Sequence, residues 1–132
     1  MTRTVKDAAI ISLGRLGPTT PAAKALLKRQ VDAPELGTRV ASACALWWTG
    51  SAAEDVYPVF MEALEKTSDV PTLERAIFGL GEMGSHAKEA LPKLARLRDE
   101  ASEQTKTVIS EATRKIEGFL PPTGPRPAEK GK

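Results

Sequence analysis

Residues Gly79 to Gly84 read GLGEMG, a G-x-G-x-x-G spacing. Glycines so placed can form the tight turn that brings backbone amides onto a dinucleotide pyrophosphate, provided that a strand leads in and a helix leads out. Here the lead-in is LERAIF, whose apolar residues Leu73, Ala76 and Ile77, continued by Leu80, recur at helical spacing. Asp99 stands about where a ribose-binding acid belongs, yet it ends another helical pattern. The three glycines therefore read as packing and capping positions. Gly79→Ala and Gly81→Ala are expected to be tolerated or only mildly destabilising, and Gly84→Ala to cost about 1 kcal/mol if its backbone is left-handed.

The other residue types able to do chemistry are sparse. His86 is the single histidine, and no H-x-x-x-H or C-x-x-C spacing accompanies it, so no metal site is expected. Cys44 is the single cysteine, which excludes an intrachain disulfide. It shares an apolar column with Ile11 and Phe78 and reads as a buried thiol, not as a nucleophile, which needs a base and an electropositive setting. The acid pairs Glu54-Asp55 and Asp99-Glu100 fall at helix ends, where capping or solvent accounts for them. With no catalytic constellation, the chain is expected to be non-enzymatic, without cofactor, metal or small-molecule ligand.

Net charge is +2, from 19 basic and 17 acidic residues, too balanced to demand a nucleic-acid or anionic-lipid partner. Lys88, Lys93, Arg96 and Arg98 do crowd one helix, followed by Lys106, Arg114 and Lys115, and a groove lined by them could take phosphate or an acidic peptide. Interleaved Glu89, Asp99, Glu100 and Glu103 favour a solvated face instead. The N-terminal MTRTVKDAAIISLGRLG is broken by Asp7 and by Gly14-Arg15, so it reads as an amphipathic helix and not as a signal peptide. No apolar run approaches the ~18 residues of a membrane span. A cytoplasmic protein with no membrane partner is expected.

An internal repeat organises the chain. Setting VKDAAIISLGRLG (5–17) above TRVASACALWWTG (38–50) and PTLERAIFGLGEMG (71–84) aligns Ala9, Ser42 and Ala76, then Leu13, Leu46 and Leu80, then Gly17, Gly50 and Gly84, at offsets of 33 and 34. TVISEATRKIEGFL is a weaker fourth copy, with Ala112 and Ile116 in register and its glycine out of register. Each copy is an amphipathic helix closing on a glycine, and a second helix follows the first three: 20–31, 52–66 and 86–99. Pro58 and Pro92 share a column a few residues inside the last two. Nothing alternates with the period of a strand.

The first-helix pattern resembles the HEAT family of repeats, in particular the short prokaryotic kind reading roughly V-R-x-x-A-A-x-A-L-G-x-I-G. Val5-Lys6, Ala9-Ile10, Leu13-Gly14 and Leu16-Gly17 match it, as do Leu80-Gly81, Met83-Gly84 and the following AKEALPKL. Tetratricopeptide and ankyrin repeats share the period, but their tyrosine after Leu-Gly and their T-P-L-H are absent. The resemblance spans residues 5–118 and implies an all-α, short right-handed solenoid of antiparallel helix pairs (1–118), with a disordered Pro-rich tail (119–132) that holds four of the ten prolines. It implies a protein-interaction scaffold. Alternatively the chain is an accessory C-terminal segment of a larger bacterial enzyme, since similar repeats are appended to sulfatases and the family includes bilin-attaching lyases, or a nucleic-acid-binding domain. A first helix beginning almost at Met1, with no polar capping repeat, favours a missing upstream part.

Two tryptophans depart from the pattern. Trp47 replaces the column glycines Gly14 and Gly81 and is expected to fill a gap between helices. Trp48 aligns with the charged Arg15 and Glu82, so it is expected to face solvent and to be a docking residue, the alternative being that the Asp32 to Leu36 connection or a neighbouring arginine such as Arg15 folds over it. The expected partner-binding residues are thus Trp48, Lys88, Lys93 and Arg96.

Overall fold

The structure is a computed structural model that describes residues 9–12, 21–67 and 69–124. It is all-helical. Helices take up 79% of the described residues, and no strand occurs among them. After a helical stretch at 9–12 come α1 (Pro21–Gln30), α2 (Leu36–Trp48), α3 (Ala53–Lys66) and α4 (Val70–Glu82), then a 3-10 helix (Gly84–Ala90), α5 (Leu91–Glu100) and α6 (Glu103–Ile116). From α1 onward the starts and ends fall within a few residues of the sequence reading, except that the helix expected over 86–99 is two pieces; both ends of the helix expected over 5–17 lie outside the described residues. Ala87 leaves helical geometry (φ −109°, ψ 20°) and α5 begins afresh with Pro92 at its second position, where a missing N–H does no harm. Pro58, its column mate, sits inside a continuous α3.

Side-chain caps and left-handed glycines fix the ends of several helices. Asp69 accepts the Thr72 amide at 3.1 Å to start α4, and Ser102 accepts the Thr105 amide at 3.2 Å to start α6. At the end of α2, Gly50 takes φ 106°, its N–H reaches Trp47 O (3.1 Å) and Ser51 N–H reaches Leu46 O (3.0 Å), the paired bonds of a Schellman motif. Gly118 (φ 91°) does the same for α6, with its N–H on Lys115 O (3.2 Å) and Phe119 N–H on Arg114 O (2.7 Å). That glycine is out of register with the repeat, yet it makes the same cap.

Neighbouring helices pack in sequence, α1 on α2, α2 on α3, α3 on α4 and α5 on α6, while α2 also packs on α4 and α4 on α6. The core between them includes Leu27, Val40, Val56, Phe60, Ile77, Leu80, Leu94, Ile109 and Ile116, all essentially without solvent contact. Close approach is bought by small residues. A Cβ on Gly81 would lie 2.9 Å from Ala112 Cα, so the α4 and α6 backbones nearly touch, and a Cβ on Gly79 would run into the Phe60 ring. The expected tolerance of alanine at both positions is thus corrected, because their glycines are required by packing. Gly79 and Gly81 lie inside α4, preceded by helix, so the GLGEMG stretch has none of the strand-to-helix geometry of a phosphate loop.

Among the described residues no helix is long and apolar enough to cross a membrane. Leu13, Gly14, Arg15 and Gly17 of the first repeat lie outside the described residues.

Candidate functional site

Three helices deliver their last turns to one place. Trp48 is the final residue of α2, Glu82 the final residue of α4, and Lys115 the penultimate residue of α6. The carboxylate of Glu82 is at their centre with its side chain only 1% exposed. Trp48 Nε1 donates to Oε1 at 2.9 Å and Lys115 Nζ to Oε2 at 2.8 Å, while Trp47 Nε1 donates to the Glu82 carbonyl at 3.1 Å. Two more donors come from the tail: Thr123 N–H reaches both carboxylate oxygens (2.9 and 2.7 Å) and Gly124 N–H reaches Oε1 (2.6 Å).

A carboxylate at a helix carboxyl end opposes the macrodipole, and α4 carries no basic residue in its last turn to offset it. Burial by itself pushes the Glu82 carboxyl up. The hydrogen bonds from Lys115, Trp48, Thr123 and Gly124 outweigh that and hold it below its ordinary value of 4.5. The ionised form is therefore the folded one. Lys115 also lies 4.4 Å from the centroid of Phe78, whose ring stands edge-on to Trp48 at 6.1 Å.

This arrangement overturns the solvent-facing Trp48 expected from the repeat register. Trp48 is 1% exposed, roofed by Glu82 and by the tail at Gly124, neither of which sequence columns could place over it. Trp47 does fill an interhelical gap, 3% exposed and edge-on to His86 at 5.3 Å. Of the basic residues only Lys115 joins Trp48 at Glu82; Lys88, Lys93 and Arg96 do not. Lys93, on α5, pairs with Glu65 at 3.6 Å, whereas Lys88, Arg96 and Arg98 are exposed along the 3-10 helix and α5. The chain's contacts with the helices run past the expected boundary at 118, because Thr123 and Gly124 are bonded to Glu82; residues 125–132 lie outside the described residues.

Beside this cluster an open groove of about 430 Å³ runs across the helical stretch at 9–12 and α2, α4 and α6. Ile11, Cys44 and Phe78, one column of the repeat, line it with Trp48 and Val108, and Glu74, Arg75 and Glu111 supply its charges. Cys44 is buried as expected. His86 is at the surface with Nδ1 3.1 Å from Met83 O, beside a second open cleft of about 550 Å³ that Tyr57, Ser85 and Lys88 also line. Burial raises the Tyr57 hydroxyl above its ordinary value, and the Glu89 carboxylate adds to the shift. Among the described residues no group of three or more His, Cys, Asp or Glu side chains converges to hold a metal.

Sequence reasoning singled out neither Glu82 nor Gly124 as a functional position. The one available signal was the Trp47-Trp48 pair, which carries two indole N–H donors into a buried region and so demands acceptors.

No family model matches the chain, and neither does any curated protein or solved structure.

Proposed function

We propose that the chain is a short α-solenoid of HEAT-type helix pairs that acts as a non-enzymatic protein-interaction module, with its partner seated on the face formed by α2, α4 and α6. The period of 33 to 34 residues and the positive-φ glycines Gly50 and Gly84, which share a column, support the HEAT-type reading. The observation that carries the docking surface is the groove. It combines an apolar floor at Cys44, Phe78 and Val108 with both signs of charge at Glu74, Arg75 and Glu111, a mixture that suits a protein segment better than a polyanion. A polyanion would instead favour the exposed Lys88, Arg96 and Arg98.

A photo-crosslinking amino acid installed at Val108, and separately at Arg96, tests the reading in the cells of origin. A discrete protein adduct from position 108 and none from position 96 is the expected result. Adducts confined to position 96, or to nucleic acid, contradict it.

A further inference from the structure

The Glu82 carboxylate is capped by main-chain amides, and the segment that supplies them belongs to the chain itself. From the Schellman turn at Gly118 the chain doubles back, and Thr123 and Gly124 place consecutive N–H groups on one buried carboxylate. Consecutive amides on an anion are a main-chain recognition mode that requires no particular side chains. Two features here add selectivity. Lys115 Nζ, while bonded to Glu82, also donates to Thr123 Oγ1 at 2.9 Å. The residue after that threonine has to be glycine, because a Cβ at position 124 would penetrate the Trp48 indole. Pro121 and Pro122 hold the approach extended and stay at the surface, as does Thr123, while the Thr123 and Gly124 amides turn inward and Gly124 packs against the Trp48 indole.

We infer that the Glu82–Trp48–Lys115 cradle is a peptide-binding site for a Pro-Thr-Gly segment bent so that its Thr and Gly amides point the same way, filled in cis by the tail and open to the same segment presented in trans. An empty cradle leaves a buried carboxylate short of two donors, so it is held by whichever chain supplies consecutive amides followed by no side chain. The inference does not depend on what occupies the groove beside it. The tail has the advantage of proximity, equivalent to a local concentration on the order of millimolar, so a trans segment competes where the tail is weakened or where the segment is in excess of that concentration.

The test is titration of a synthetic peptide spanning residues 120–126 (LPPTGPR) into the full-length chain and into Gly124→Val, followed by the indole N–H resonance of Trp48. Gly124→Val lifts the tail while leaving Glu82, Trp48 and Lys115 in place. The expected result is saturable binding to the variant, about ten-fold or more tighter than to the parent chain. Adding Glu82→Gln, or replacing the peptide's glycine by valine, should abolish it. A Trp48 resonance that stays unmoved in folded Gly124→Val at about 1 mM peptide overturns the inference and makes the segment a structural strap alone. Should Gly124→Val lose its helical circular dichroism, the parent chain decides: the Thr123 and Gly124 amide resonances move to their free positions under excess peptide if the site exchanges, and their immobility refutes it.

Discussion

Trp48 and Glu82, which fall in one column of the repeat 34 residues apart, are hydrogen-bonded to each other, Nε1 to Oε1 at 2.9 Å. Equivalent positions of successive repeats thus meet as donor and acceptor, and both are buried. Trp48→Phe should therefore cost about 1–2 kcal/mol by leaving the carboxylate one donor short, and Trp48→Ala about 3–5 kcal/mol through the added cavity. Urea unfolding monitored by circular dichroism measures both; a melting temperature unchanged in Trp48→Ala would place the indole at the surface.

Removal of the acceptor strands more groups than removal of any one donor. Glu82→Ala leaves the Lys115 ammonium, the Trp48 indole and the tail amides without it, and should destabilise by about 3 kcal/mol or more. In the double variant Glu82→Ala/Lys115→Met the penalty should shrink, since the uncompensated charge is gone. Strict additivity in that cycle would argue against the pair.

The acid limb of stability has a defined sign. Because the Glu82 carboxyl is held below its ordinary 4.5, the unfolded chain takes up the proton first. Its contribution is complete above the ordinary value and is lost as the pH falls through the lower, folded value. Glu82→Gln should flatten this part of the stability profile below pH ~4.5 while leaving the slope near neutrality alone.

Gly79→Ala should destabilise by about 1–2 kcal/mol, the overpacking against Phe60 exceeding the gain in helix propensity. Phe60→Leu in the same chain should recover part of the loss, whereas Phe60→Leu alone only destabilises. Equal costs in the two backgrounds would mean that the ring is not what Gly79 accommodates.

Ser42 offers a change in the opposite direction. Its hydroxyl is buried and has no hydrogen-bond partner among the described residues, while the same repeat column holds alanine at Ala9 and Ala76. Ser42→Ala should stabilise by about 1 kcal/mol, read as a higher denaturation midpoint at unchanged slope.

Periodicity made the helices legible: Leu73, Ala76, Ile77 and Leu80 declare a buried stripe, and Gly50 and Gly84 announce the turns. Columns also aligned Ile11, Cys44 and Phe78, which in the structure line one groove. They failed at Trp48 and Glu82 because a column states which way a residue points within its own helix and says nothing of what folds over it. The cover comes from the tail, whose Thr123 and Gly124 amides carry no side-chain signature in the sequence. Packing glycines were equally opaque, since Gly79 and Gly81 look like weak helix positions until Phe60 and Ala112 are seen against them.

The carboxyl ends of α2, α4 and α6 are closed by the buried Glu82 carboxylate, which fixes both Trp48 and the tail. Hydrogen exchange of the Trp48 indole N–H in the full chain tests this closure most directly. The indole N–H should exchange about 100-fold or more slower than an exposed one, with Glu82→Gln accelerating it. Exchange at the exposed rate, or a rate indifferent to Glu82→Gln, would contradict it.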